Sequence, residues 1–144
     1  MKKTIITLTI LFTFGFISFG QVTDPLISKC VLNAGTSAKY LKDFRIQLGN
    51  TSPQSEFRYK ANMSLWKNTR YRFTMCNAED SKGQLILTIK DDTNKIILSS
   101  FDKKTGKIYS FVDFECQKSG IYLISYDFSD GQRGSGVGVV SMIK

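Results

Sequence analysis

Histidine is absent from the 144 residues of this chain. Its absence removes the commonest general base, the usual serine and cysteine triads, and every zinc site that needs an imidazole. Binding or structural association is therefore expected rather than catalysis, with no cofactor and no metal required. Proline is nearly as scarce, with only Pro25 and Pro53. Cysteine is missing from residues 1–29, and the three present, Cys30, Cys76 and Cys116, form no Cys-x-x-Cys pair of the redox or zinc kind. There is one tryptophan, Trp66, and no internal repeat, low-complexity tract or interdomain linker. The length suits a single domain.

The N-terminus carries an export pattern. Lys2 and Lys3 precede an apolar stretch from Ile5 to Phe19 that is shorter than the roughly 20 residues a membrane-crossing helix needs, and it ends in small residues. Ser18 and Gly20 suit positions −3 and −1 of a signal-peptidase site, so residues 1–20 are expected to be a signal peptide and Gln21 the new N-terminus. No cysteine at the cut suggests a lipid anchor, and no transmembrane anchor is expected after cleavage. Removing twenty residues from 144 leaves 124, and losing two lysines lowers the net charge from +8 to +6. A domain of that size buries about two-thirds of its unfolded surface, enough to fold alone as a monomer.

Residues 21–39 show no clear period and are expected to be a lead-in, with a possible extra strand around Cys30-Val31-Leu32. From Tyr40 onward the apolar period is two, and turn residues recur about every ten positions, the pattern of a β-sandwich or barrel. Eight strands are predicted, at 41–48, 57–65, 69–76, 84–90, 95–100, 108–116, 120–128 and 136–143. Gly49-Asn50-Thr51-Ser52-Pro53, Asp91-Asp92-Thr93-Asn94, Lys104-Thr105-Gly106, Lys118-Ser119-Gly120 and Asp130-Gly131 separate them. Both prolines lie outside the predicted ladders, as a missing N–H requires. The domain over residues 40–144 is thus all-β. In Gly134-Ser135-Gly136-Val137-Gly138 no lysine or following helix completes a phosphate loop, so the glycines are expected to open the last strand and to permit close backbone approach.

Tyr71-Arg72-Phe73, the run Leu85-Ile86-Leu87-Thr88-Ile89-Lys90-Asp91, the aromatic-rich segment Tyr109 to Phe114, and Ser119-Gly120-Ile121-Tyr122-Leu123-Ile124 together call up a family. The stretch from Phe57 to Ile143 resembles the bacterial pre-peptidase C-terminal domain, often appended to secreted peptidases. The resemblance implies an antiparallel β-sandwich of jelly-roll type and an accessory role outside the cytoplasm. Under that wiring the strands at 69–76 and 108–116 are antiparallel neighbours, which sends Cys76 and Cys116 to opposite edges of their sheet. Cys30 could then join either one, leaving a thiol over.

Five side chains stand out as ligand-binding candidates: Trp66, Arg70, Arg72, Arg58 and Lys60. With Arg45 and Lys67, the basic ones occupy outward strand positions or the loop at 66–69, where they could meet an acidic polysaccharide or simply keep an edge strand soluble. Jelly-roll wiring would put Arg58 and Arg72 on different surfaces. The area of an indole favours Trp66 folding over the sandwich end to close the core; the alternative is a stacking platform for a sugar ring. Tyr59 and Tyr126 are expected inside. Asp113 and Glu115, spaced by two, would project about 7 Å apart from one strand face, compatible with a carboxylate-dependent glycoside hydrolase. Acidic turns at Glu79-Asp80, Asp91-Asp92 and Asp127 with Asp130 allow a calcium-stabilised spacer, although none has the ordered spacing of a calcium loop. The expectation is a secreted or periplasmic module of the cell envelope that binds a glycan or another envelope protein, with no nucleic-acid partner.

Overall fold

Alternating side chains close into eight strands among the residues that the computed structural model describes, 24–52 and 56–144. The expected leader, residues 1–20, and Pro53 lie outside them. The strands are β1 (Ala38–Leu48), β2 (Tyr59–Leu65), β3 (Arg70–Asn77), β4 (Leu85–Lys90), β5 (Ile96–Ser99), β6 (Phe111–Glu115), β7 (Gly120–Phe128) and β8 (Gly134–Ile143). They form two antiparallel four-stranded sheets of order β1-β8-β3-β6 and β2-β7-β4-β5. The chain changes sheet at every connection except β4 to β5, which is the eight-stranded jelly roll.

One face of each strand builds the space between the sheets. Phe44 and Ile46 of β1, Tyr71, Phe73 and Met75 of β3, Leu85, Leu87 and Ile89 of β4, and Tyr122, Ile124, Tyr126 and Phe128 of β7 are all buried there. Each such side chain contributes about 1.5–3 kcal/mol relative to an exposed one. The glycines of β8 answer to this packing. A Cβ on Gly134 would strike the ring of Phe128, and one on Gly138 the ring of Tyr126, both from the opposite sheet; at Gly136 it would sit 2.8 Å from the Cys76 carbonyl oxygen.

Around Cys30 the chain is helical, not extended. Helix α1 (Pro25–Asn33) starts at Asp24, whose side chain accepts from the Leu26 N–H at 2.9 Å, with Pro25 in the first turn. It stops before Gly35, which takes a φ of +96°. Three apolar residues in a row fit strand or helix equally, and the wider spacing of Leu26, Ile27, Cys30 and Val31 decides for helix by giving one apolar stripe. That stripe lies on Cys76, Val137 and Val139, on the outer face of the β1-β8-β3-β6 sheet. A disulfide joins Cys30 to Cys76, with Cα atoms 5.7 Å apart, and Cys116 is a buried free thiol.

Candidate ligand-binding surface

Trp66 follows Leu65, which is buried at the end of β2. Because side chains alternate along an extended chain, a buried Leu65 sends Trp66 outward, and the indole is 68% exposed. The core-closing role that its area favoured is therefore not the one it plays. Its backbone is nonetheless held. The Trp66 N–H donates to the Tyr71 hydroxyl at 2.8 Å, the Lys67 N–H to Ser119 Oγ at 2.7 Å and the Asn68 N–H to the Cys116 carbonyl at 2.9 Å. Asn68 makes the return with a φ of +64°. An exposed ring thus stands on a braced connection.

Ser119, to which this connection is tied, lines a pocket of about 450 Å³ between the β4–β5 and β6–β7 turns. Phe114, Ile97 and Tyr122 supply apolar wall, Ile121 stands 62% exposed at the rim, and Asp92 and Lys118 bridge the two turns at 3.6 Å. The Tyr122 hydroxyl donates to the Lys118 carbonyl at 2.5 Å. Burial first, and then the neighbouring Cys116 thiol, push the Tyr122 phenol up to about 12, so it remains a neutral donor. The pocket combines apolar wall with a few polar groups, the makeup of a small-ligand site.

The arginines are placed otherwise. Arg72 grips Asp113 through Nε at 2.7 Å and Nη2 at 2.9 Å, while its Nη1 donates to the Ala34 carbonyl at the end of α1 at 3.0 Å. Its guanidinium also lies 4.6 Å from the centre of the Phe111 ring. Arg70 reaches the same carboxylate at 3.3 Å. Arg58 binds Asp127 from both Nε and Nη2, and donates to the Gly49 carbonyl at 2.6 Å. These cations hold the fold together and leave little charge free for a ligand. Lys60, on the outer face of the other sheet, pairs with Glu56 at 2.8 Å. The five candidates thus fall on separate surfaces, with Arg70 and Arg72 on one sheet, Arg58 and Lys60 on the other, and Trp66 at the end.

Asp113 and Glu115 do share a strand face, opposite Arg72 and Arg70 in the ladder. The hydrogen bond from Arg72 holds the Asp113 carboxyl below the usual carboxylate range, which opposes its acting as a general acid. Asp91 is used within its own turn, accepting from the Thr93 N–H at 2.9 Å, the Thr93 hydroxyl at 2.7 Å and the Lys95 N–H at 3.0 Å. Of the residues that complete the pocket beside Trp66, Asp92 entered the sequence reading only as part of an acidic turn suited to calcium, and Ile121 was not singled out as a site residue. The only signal for Ile121 was its outward parity beside Tyr122.

No protein-family model matches the chain, and no curated protein matches it. What the fold and the pocket define is a class, an all-β sandwich with an exposed aromatic beside a partly apolar pocket.

Proposed function

We propose that this chain is an exported, non-catalytic binding module that holds a glycan of the cell envelope at the Trp66 end of the sandwich. The carrying observation is an indole 68% exposed on a connection whose backbone is hydrogen-bonded in place. A large aromatic face kept in water is unusual for a folding role, and a braced loop meets a sugar ring with little further loss of entropy. The pocket beside it offers carboxylate, amide and ammonium groups for sugar hydroxyls. Export is supported by the leader pattern of residues 1–20 and by the Cys30–Cys76 disulfide, which persists in oxidising compartments. The pattern likeness to the pre-peptidase C-terminal domain agrees with an accessory role.

A glycan array probed with the mature protein and with Trp66→Ala tests this. Binding should weaken at least tenfold in the variant, equivalent to about 1.4 kcal/mol, with an unchanged melting temperature. Unchanged glycan binding would remove Trp66 from the site, and capture of an envelope protein alone would transfer the surface to that partner.

A further inference from the structure

The outer face of the β2-β7-β4-β5 sheet carries a groove of about 300 Å³ that no single segment of the chain reveals. Its floor is one register row: Lys60 of β2 stands opposite Ser125 of β7, Ser125 opposite Thr88 of β4, and Thr88 opposite Ser99 of β5. Three of those four side chains end in hydroxyls. Phe57 and Phe101 wall the groove, and Lys60, Lys90 and Lys103 line it against the single acid Glu56. Lysine ammonium groups are strongly hydrated point charges that suit carboxylate or sulfate oxygens, and the aromatic walls suit the C–H faces of a sugar ring.

We propose that this groove binds an anionic sugar unit, a uronate or a sulfated residue, within a polysaccharide chain. Charge complementarity is the first support, three cations facing one anion. A second is the resident Glu56: its carboxylate lies 2.8 Å from Lys60 Nζ, and the hydrogen bond and charge of Lys60, then the charge of Lys90, hold its pKa below the usual carboxylate range. A carboxylate is thus already stabilised by two of the groove's lysines, and an incoming one would compete with it. The recessed floor and the paired walls favour a ring inserted into the sheet face over a flat membrane surface. Along β2 the outward positions run Lys60, Asn62, Ser64 and on to Trp66, three two-residue steps or about 20 Å. A single extended glycan could therefore touch the lysine groove and Trp66 together, but the groove is a site in its own right and does not depend on the Trp66 reading.

Titrating the mature protein with an oligouronate and with its methyl-esterified counterpart separates charge from sugar shape. The free acid should bind and the neutral ester should bind at least tenfold more weakly. Lys90→Gln and Lys103→Gln should each weaken acid binding by about tenfold. Glu56→Gln should tighten it by about two- to fivefold, a gain that misfolding cannot mimic. Trp66→Ala should leave the preference for acid over ester intact, so failure at Trp66 and failure in the groove give different profiles. A sulfated oligosaccharide with the same variant sensitivities supports the site and identifies sulfate as the favoured group. Equal binding of acid and ester, acid binding indifferent to the lysine variants, or capture only by phosphatidylglycerol vesicles would overturn it.

Discussion

Arg72 touches three parts of the fold with one guanidinium: the Asp113 carboxylate, the last turn of α1 through the Ala34 carbonyl, and the face of Phe111. A positive group at a helix C-terminus also meets the negative end of the helix dipole. Asp113 is the counterpart whose titration can be followed. Its folded pKa lies below the ordinary value, chiefly through the Arg72 hydrogen bond, so the ion pair's contribution is present above about pH 4 and is lost as pH falls through the folded pKa. Asp113→Asn should lower stability at pH 7 by about 1–3 kcal/mol and flatten the acid limb below about pH 4. Urea midpoints at stepped pH check this; an unchanged acid limb in the variant would remove the pair from the fold's acid sensitivity. At this scale the sequence could name Arg72 and Asp113 as charged and outward, but not as each other's partner, because their strands lie some forty residues apart in the chain.

Helix α1 depends on one face of one sheet. Its apolar stripe and Cys76, Val137 and Val139 form a small cluster, distinct from the cluster between the sheets that holds Phe73, Leu87 and Tyr126. The Cys30–Cys76 disulfide closes a span of 46 residues. Reduction should therefore cost about 2–4 kcal/mol while leaving the sandwich folded. Hydrogen exchange under reductant should rise over 25–33 and stay slow in β7; loss of protection in both together would show that the helix and the sandwich share one cooperative unit. Asp24-Pro25, an N-cap followed by proline, marks the start of this helix, a signal passed over when 21–39 was read as a lead-in, and the apolar trio Cys30-Val31-Leu32 drew a strand reading because neighbours in sequence carry no period of their own. Strands with one face in water, such as β2, were readable because burial on the other face imposes alternation, whereas β4 and most of β8 are buried on both faces and were marked by apolar residues between turns. Strand ends were less readable: β6 begins at Phe111 and β1 already at Ala38.

For the molecule as a whole, the export reading makes a concrete demand on mass and thiols. The protein recovered from outside the cytoplasm should begin at Gln21 and carry one disulfide. Cys116, 1% exposed, should resist alkylation until denaturant is added and then take up one label. Intact-mass spectrometry before and after alkylation checks both, and a chain retaining residues 1–20, or three labels without reductant, would defeat the reading. By itself the sequence determined the β class, the two-residue alternation of most strands and the turns between them, because these follow from local pattern and from residues suited to turns; Phe57, which shares the parity of inward Tyr59, lies instead against the outer groove. Tertiary structure alone decided which charges cancel, which cysteines meet, and where the face of Trp66 and the lysines of the groove are presented. Those properties depend on register between strands distant in the chain, and a local pattern contains no record of that register.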